Sequence, residues 1–268
     1  MSGGRGRLVV CPTPIGNLED VTLRVLRALR EADVVACEDT RHTRKLLDRH
    51  DVAGARLVSY HEHNERRRAG ELAARIESGD VVALVTDAGT PAVSDPGFAL
   101  IRECVARGLA VEVLPGPSAV VTALVASGLP AERWRFIGFL PRKAGELRAV
   151  VAEAGETVVA FESPARLPKT LAVLAEVDPD RPVAVCRELT KVHEEVVRGS
   201  ASEAAVRFAD GTRGEIVLVI GAGAQAGGDV SSGRDAVEAL VAAGARRKAA
   251  ARVVSQLTDI PSNRLYKD

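Results

Sequence analysis

Aromatic residues are scarce in this 268-residue chain, 3% of the whole with one tryptophan and two tyrosines, so its core has to be built from aliphatic side chains. An excess of charge of either sign is also missing. Lysine and arginine, 36 in all, balance 36 aspartates and glutamates, which excludes the strongly basic global field of many nucleic-acid-binding domains. Any contact with a polyanion must rest on local patches. Cysteines are few: Cys11, Cys37, Cys104 and Cys186 are widely separated, lie within or beside apolar runs and form no C-x-x-C pair. That speaks against a disulfide framework and for buried thiols in a reducing compartment. Long apolar runs are absent too. None approaches the roughly 20 residues a membrane helix needs, and Leu8–Cys11, after Arg5 and Arg7, is too short for a signal segment. The expectation is a cytoplasmic chain with no membrane contact.

What is present, 46% hydrophobic residues over 268 positions, suffices for one large or two modest domains. From Leu8 to about Ala126, short β-branched runs (Leu8–Cys11, Val34–Cys37, Val81–Thr86, Ala110–Leu114) alternate with helix-period segments (Thr22–Glu31, Glu65–Glu77, Pro96–Arg107). This alternation predicts an α/β fold with a parallel sheet. The near-continuous apolar character of Val81–Thr86 and Ala110–Leu114 predicts strands covered on both faces. After Gly128-Leu129-Pro130 a second α/β unit follows, with strands near Thr157–Phe161, Val183–Arg187 and Glu215–Ile220 and helices near Arg166–Glu176 and Ser202–Phe208. Its less regular connections predict a mixed sheet. The organisation reads as an N-terminal α/β domain (1–126), a C-terminal α/β domain (127–222), a glycine- and serine-rich linker (223–233) and a small helical segment (234–268). That last segment resembles a helix-turn-helix, with helices over Arg234–Ala243 and Arg246–Leu257 and a third from Ser262.

Three glycine- and proline-bearing clusters each follow a strand of the first domain: Pro12–Asn17, Thr86–Pro91 and Pro115–Ala119. Loops at the carboxyl ends of parallel strands line the ligand crevice. Tight βα turns also need Gly and Pro for backbone reasons alone, but three such loops with Asp87, Ser94, Asp95 and Ser118 among them point to a site. Other motifs are weaker. Gly221-Ala222-Gly223 follows a strand, but its third glycine is displaced and the residues after it read as linker rather than helix. Glu38-Asp39 sits where a Rossmann domain would hold a ribose, yet the Pro12–Asn17 loop has no glycine triplet. His61 and His63, with Glu62 and Glu65, make an incomplete metal set, so no metal is expected. Arg66-Arg67-Arg68 reads as a solvated helix face or a phosphate contact.

Together, the segments Pro12–Asp20, Glu38–Arg41, His61–Glu65, Asp87–Gly97 and Pro115–Ala119, with Gly138–Lys143, Glu162–Leu167 and Arg187–Lys191 in the second half, resemble the tetrapyrrole methylase superfamily. More narrowly they are similar to its branch that methylates small-subunit ribosomal RNA. The Gly-Asp-Pro of corrin-pathway relatives is lacking from the Asp87–Gly97 loop. The resemblance implies the two-domain class III methyltransferase architecture and a folded S-adenosylmethionine between the domains. It implies contacts from Pro14, Asp87, Thr90, Val93, Ser118 and Ala119, with Leu189 and Ile216 from the second domain. It also implies 2'-O-methylation of a cytidine in 16S rRNA of the 30S subunit, and a homodimer.

A ribose hydroxyl is a poor nucleophile at neutral pH, so a nearby proton acceptor would help. Lys143, Glu162 and Lys191, polar residues in or just after second-domain strands, are the candidates; each is alternatively a phosphate contact or a solvated ion pair. Two other readings stay open: methylation of a tetrapyrrole or other small molecule, which the neutral net charge favours, and a non-enzymatic nucleic-acid-binding module, prompted by the tail. There, Arg246, Arg247, Lys248, Arg252, Arg264 and Lys267 stand against Asp259 alone.

Overall fold

The computed structural model describes residues 6–223, 230–258, 260 and 262–265 and contains two five-stranded sheets followed by a small helical unit. The first unit runs β1 (Arg7–Val10), α1 (Leu23–Glu31), β2 (Val34–Cys37), α2 (Thr40–Arg49), β3 (Leu57–Ser59), α3 (Glu65–Glu77), β4 (Val81–Leu84), α4 (Phe98–Ala106), β5 (Ala110–Val113) and α5 (Ala119–Ser127). Its strand order is β3-β2-β4-β1-β5, with every pairing parallel, as the alternation predicts. The central strands are buried on both faces. Val9, Val35 and Ala83 pack with Val25 and Leu29 of α1 on one side; Leu8, Val10, Val82 and Leu84 pack with Leu72, Ile76 and Leu100 of α3 and α4 on the other. Because β4, β1 and β5 are neighbours, the loops leaving their carboxyl ends stand side by side, where the strand order reverses.

The Ala110–Leu114 run is an edge strand, not a covered one: Val113 is 59% exposed and Ala110 is exposed, because only β1 pairs with β5.

The second unit comprises β6 (Trp134–Phe139), α6 (Ala144–Ala152), β7 (Thr157–Glu162), α7 (Leu167–Val177), β8 (Pro182–Arg187), β9 (Glu195–Ser200), α8 (Ala201–Arg207) and β10 (Ile216–Ile220). Its order is β6-β7-β10-β8-β9, parallel at β6–β7 and antiparallel elsewhere, the mixed sheet expected. One face carries Leu147, Leu167, Leu171 and Phe208 from α6, α7 and the end of α8. The other face is covered by Val120, Ala123 and Leu124 of α5, together with Ile15 from the loop after β1. Thus α5, grouped with the first domain in the sequence reading, packs on the second sheet, and the first loop reaches into the second core.

Gly221 and Gly223 are explained by packing. A side chain at Gly223 would meet the Arg181 guanidinium at 2.6 Å, and that buried guanidinium donates to the carbonyls of Val151, Ala154 and Gly221. The pair is a cradle for an arginine.

The tail forms α9 (Val230–Ala242), α10 (Arg247–Thr258) and α11 (Ser262–Leu265) around Val237, Ala250, Ala251, Val254, Ile260 and Leu265. Helix α9 begins inside the stretch read as linker, whose residues 224–229 lie outside the described residues, as do Arg5, Asp259 and Lys267. No helix among the described residues is long and apolar enough to cross a membrane.

Candidate active site

The three loops of the first domain are joined to one another mainly by backbone and hydroxyl groups. Thr13 and Gly89 form an antiparallel bridge with N–H···O distances of 2.9 and 3.0 Å, and the Thr13 hydroxyl donates to the Thr86 carbonyl at 2.9 Å. The Thr90 hydroxyl donates to the Pro117 carbonyl at 3.1 Å, tying the second loop to the third. Glycine is required at Gly116, where a Cβ would stand 2.6 Å from that of Pro12. It is also required at Gly16, where a Cβ would lie 2.6 Å from the Thr190 hydroxyl and 2.9 Å from the Leu189 carbonyl. The Asn17 N–H donates to that hydroxyl at 3.0 Å, so the first loop is clasped to the segment after β8.

Between these loops and the second sheet lies a cavity of about 440 Å³. Of the residues assigned to a cofactor from the sequence, Thr90, Val93, Ser118, Ala119, Leu189 and Ile216 line it. Pro14 and Asp87 do not. Pro14 is buried and its neighbour Ile15 forms the wall; Asp87 accepts the Asp39 N–H at 3.1 Å, and Ala88 lines the cavity next to it. Apolar lining comes from Ile15, Val120, Leu189 and Val217, and acidic lining from Asp95, Glu162 and Glu215; no lysine or arginine lines it among the described residues.

Backbone strain collects at two walls. Ala92 and Ser94 in the second loop, and Glu188 and Thr190 after β8, have φ between 50° and 69°, conformations that cost about 1 kcal/mol or more for non-glycine residues. The first pair is held by the Ala92 N–H on the Pro96 carbonyl, the second by the Glu188 N–H on the Glu215 carbonyl and by the Thr190 N–H on Glu194. Such strain persists where the surroundings over-determine it, as they do around this cavity.

The three residues weighed as proton acceptors are not brought together. Glu162 is 3% exposed and its oxygens are engaged: one accepts from the Thr170 hydroxyl at 2.5 Å, the other from the Ser163 N–H at 2.7 Å and lies 3.3 Å from Arg166. Arg166 in turn donates to the carbonyls of Leu140 and Pro141. Lys191 pairs with Glu188 and Glu215, each at 2.9 Å. Burial lowers its pKa, but the two carboxylates more than offset this and raise it above the ordinary lysine value, so it stays a cation. Lys143, with an 82% exposed side chain, pairs with Glu146 at the start of α6, outside the cavity lining.

The carboxyl group with the most perturbed protonation is Asp95. Burial first, then repulsion from Glu38, Asp87 and Glu215, push it up to about 7, and no lysine or arginine pairs with it among the described residues. Cys186 also lines the cavity, but burial raises its thiol to about 11, which leaves it unreactive. Sequence reading placed Asp95 in a loop of interest without singling it out, and it missed Phe139, Phe161 and Glu215 as wall residues. A carboxylate or aromatic at a strand end carries no local signal of what lies across a cavity.

Several of the remaining motif residues are engaged within the fold. Asn64 accepts the His61 N–H through Oδ1 and donates from Nδ2 to the His61 ring, which holds that turn. Arg67 and Arg68 both pair with Glu71. Asp39 caps α2 and is held down to about 2 by hydrogen bonds from Arg41. Among the described residues no group of three or more His, Cys, Asp or Glu could hold a metal ion.

Against known proteins, residues 7–205 match the tetrapyrrole (corrin/porphyrin) methylases. The chain is 48% identical over 267 residues to a ribosomal RNA small subunit methyltransferase I of Mycobacterium tuberculosis strain H37Rv, covering 97% of this chain and 93% of that protein. It is 47% identical over 220 residues to the protein of the same name from Halalkalibacterium halodurans, covering 81% and 76%. The fold is shared with a uroporphyrin-III C-methyl transferase from Thermus thermophilus complexed with S-adenyl homocysteine, at TM-score 0.56 and 23% identity over 81% of this chain and 97% of that one.

Proposed function

The chain belongs to the tetrapyrrole methylases and, within them, to the ribosomal RNA small subunit methyltransferase I family, and from that premise we propose that it uses S-adenosylmethionine to methylate the 2'-hydroxyl of a cytidine in 16S rRNA of the 30S subunit. The observation that carries this reading is the cavity, whose walls suit a cationic, adenine-bearing cofactor. Ile15, Val120, Leu189 and Val217 offer apolar surface for a flat ring, and Asp95 and Glu215 offer negative charge. When bound, the cofactor supplies an electrophilic methyl group on a sulfonium. Thr90, Val93, Ser118, Ala119, Leu189 and Ile216 would hold it, with Pro14 and Asp87 supporting the loops from behind.

On the acceptor side the residues divide by role. Asp95, poised near neutrality, takes the proton of the attacking hydroxyl. Glu162 positions the Ser163–Pro164 turn and Arg166, Lys191 holds Glu215 at the wall as a cation, and Lys143 meets substrate phosphate from its exposed site. Further phosphate contacts come from the tail, where Arg246, Lys248 and Arg252 are exposed. The protein works in the cytoplasm as a homodimer, which light scattering at micromolar concentration checks by mass.

The function itself is tested by incubating the protein with radiolabelled cofactor and either 30S subunits or a corrinoid. Mass spectrometry of nuclease digests is expected to find 2'-O-methylcytidine in 16S rRNA. Label transferred to the corrinoid and not to the subunit would favour the small-molecule reading, which the zero formal net charge supports.

A further inference from the structure

Of the five phenylalanines in this aromatic-poor chain, Phe136, Phe139 and Phe161 form one cluster. Phe136 meets Phe161 edge-on at 5.1 Å between centroids, and Phe139 lies tilted against Phe161 at 5.5 Å. Phe136 and Phe161 are partly buried on the cavity face of the second sheet, whereas Phe139 is 60% exposed and lines the cavity. A large aromatic left open at a cavity mouth needs a reason.

The strand geometry supplies one. Along β6 and β7 the register runs Phe136↔Val159 and then Phe139↔Phe161, three steps on one strand against two on the other. One extra residue is inserted in β6, and Gly138, with φ of 68°, absorbs it in a conformation that glycine adopts without strain. In a regular strand, residues 136 and 139 would face opposite ways. The bulge returns Phe139 to the face of Phe136, while Ile137 and Leu140 go to the core on the other side. Bulges beside active sites re-aim side chains, and this one aims a ring at the opening. A Cβ on Gly138 would lie 3.6 Å from the Ser94 hydroxyl, so the bulge also approaches the strained loop that carries Asp95.

Resting on the ribose-methylation reading, we infer that Phe139 is the platform on which the base of the target nucleotide stacks when its ribose enters the cavity. A nucleotide whose 2'-hydroxyl reaches the cavity carries its base at the mouth, a few bonds away. Bases of RNA that undergo chemistry or sequence-specific recognition are splayed out and stacked on aromatic rings. Phe139 offers an open surface backed by Phe161. Three residues on, Arg142 is exposed with no ion pair among the described residues, within chain reach of a neighbouring phosphate. A second copy of the chain is the other occupant the experiment must separate.

The test uses the full chain with Phe139→Ala and Phe139→Trp. For Phe139→Ala, KM for 30S subunits is expected to rise on the order of tenfold to a hundredfold, the loss of one base–aromatic stack, with cofactor affinity by titration calorimetry unchanged. Phe139→Trp restores KM. A short single-stranded RNA carrying a fluorescent cytidine analogue is quenched by the wild type and by Phe139→Trp but not by Phe139→Ala. Unchanged KM and quenching in a folded Phe139→Ala that still methylates 30S subunits overturn this inference alone. So does a Phe139→Ala protein that drops to half the wild-type mass in light scattering with KM unchanged, which assigns the ring to an interface between copies. Wild-type protein that leaves 30S subunits unmethylated overturns the ribose-methylation reading and this inference with it.

Discussion

The two walls of the cavity are built from different materials. On the first-domain side the loops after β1, β4 and β5 are joined largely by neutral groups: a backbone bridge, threonine hydroxyls on carbonyls, and glycines that let loops touch. On the second-domain side the wall rests on charge, with Glu162 buried among Thr170, Ser163 and Arg166, and Glu188 and Glu215 bound to Lys191. Neutral backbone contacts set shape and are insensitive to pH and salt. Carboxylates and their partners set potential as well, at the cost of dependence on both.

Removing the charge on which the second wall rests is expected to have the largest effect. Glu162→Ala leaves Arg166 without its carboxylate and the buried Thr170 hydroxyl without its acceptor, a loss of about 3 kcal/mol, at the low end for a broken buried pair because the Arg166 side chain is 28% exposed and keeps its two carbonyl acceptors. Thermal melting would read it as a drop on the order of 10 °C. A melt within a degree of wild type would mean that the wall is held by packing alone. The equivalent break in the neutral wall is Gly116→Ala, which drives a methyl group into Pro12. Overpacking of this kind costs about 1–3 kcal/mol, and because it separates the first loop from the third it is expected to weaken cofactor binding by about tenfold in titration calorimetry.

Asp95 joins the two materials, a charged group on a loop of the neutral wall. Its pKa in the folded protein, about 7, exceeds the value of about 4 in an unfolded chain, so the native state binds the proton more tightly. Its contribution to stability is therefore fully present below about pH 4 and is lost as pH rises through about 7. Asp95→Asn is expected to flatten that part of the stability profile and to raise the melting temperature at pH 8 by a few degrees. In the wild type, affinity for the cationic cofactor should increase as pH rises through 7, and in the variant it should not. Equal pH dependence in both proteins would remove Asp95 from the cofactor's surroundings.

Lys143→Ala is expected to change least. Its ion pair with Glu146 is exposed, so stability should stay within about 0.5 kcal/mol of wild type. Its effect would appear only as a salt slope of RNA binding reduced by about one unit. An unaltered slope would detach this residue from substrate.

Much of the first domain was legible in the sequence because its information is local. Continuous apolar runs at 8–11, 34–37 and 81–86 are what doubly covered parallel strands require, and the turns behind them need glycine and proline whatever lies beyond. The same reasoning over-reached at β5, where an apolar run cannot report that no strand follows it. In the second domain, β6 and β9 are sheet edges with half-covered faces, and neither announced itself.

The sequence by itself determined the class of the molecule: two α/β units, three glycine- and proline-bearing loops after strands, and motifs shared with a methylase family. Tertiary structure alone decided which sheet α5 covers, that an inserted residue at Gly138 turns Phe139 to the cavity, and that Asp95 holds its proton to neutrality. The reason is the range of the physics. Periodicity and turn chemistry act over a few residues along the chain, whereas desolvation and charge repulsion act through space. Glu38, Asp87 and Glu215, which raise the Asp95 carboxyl together with its burial, come from both domains and meet only when the chain is folded.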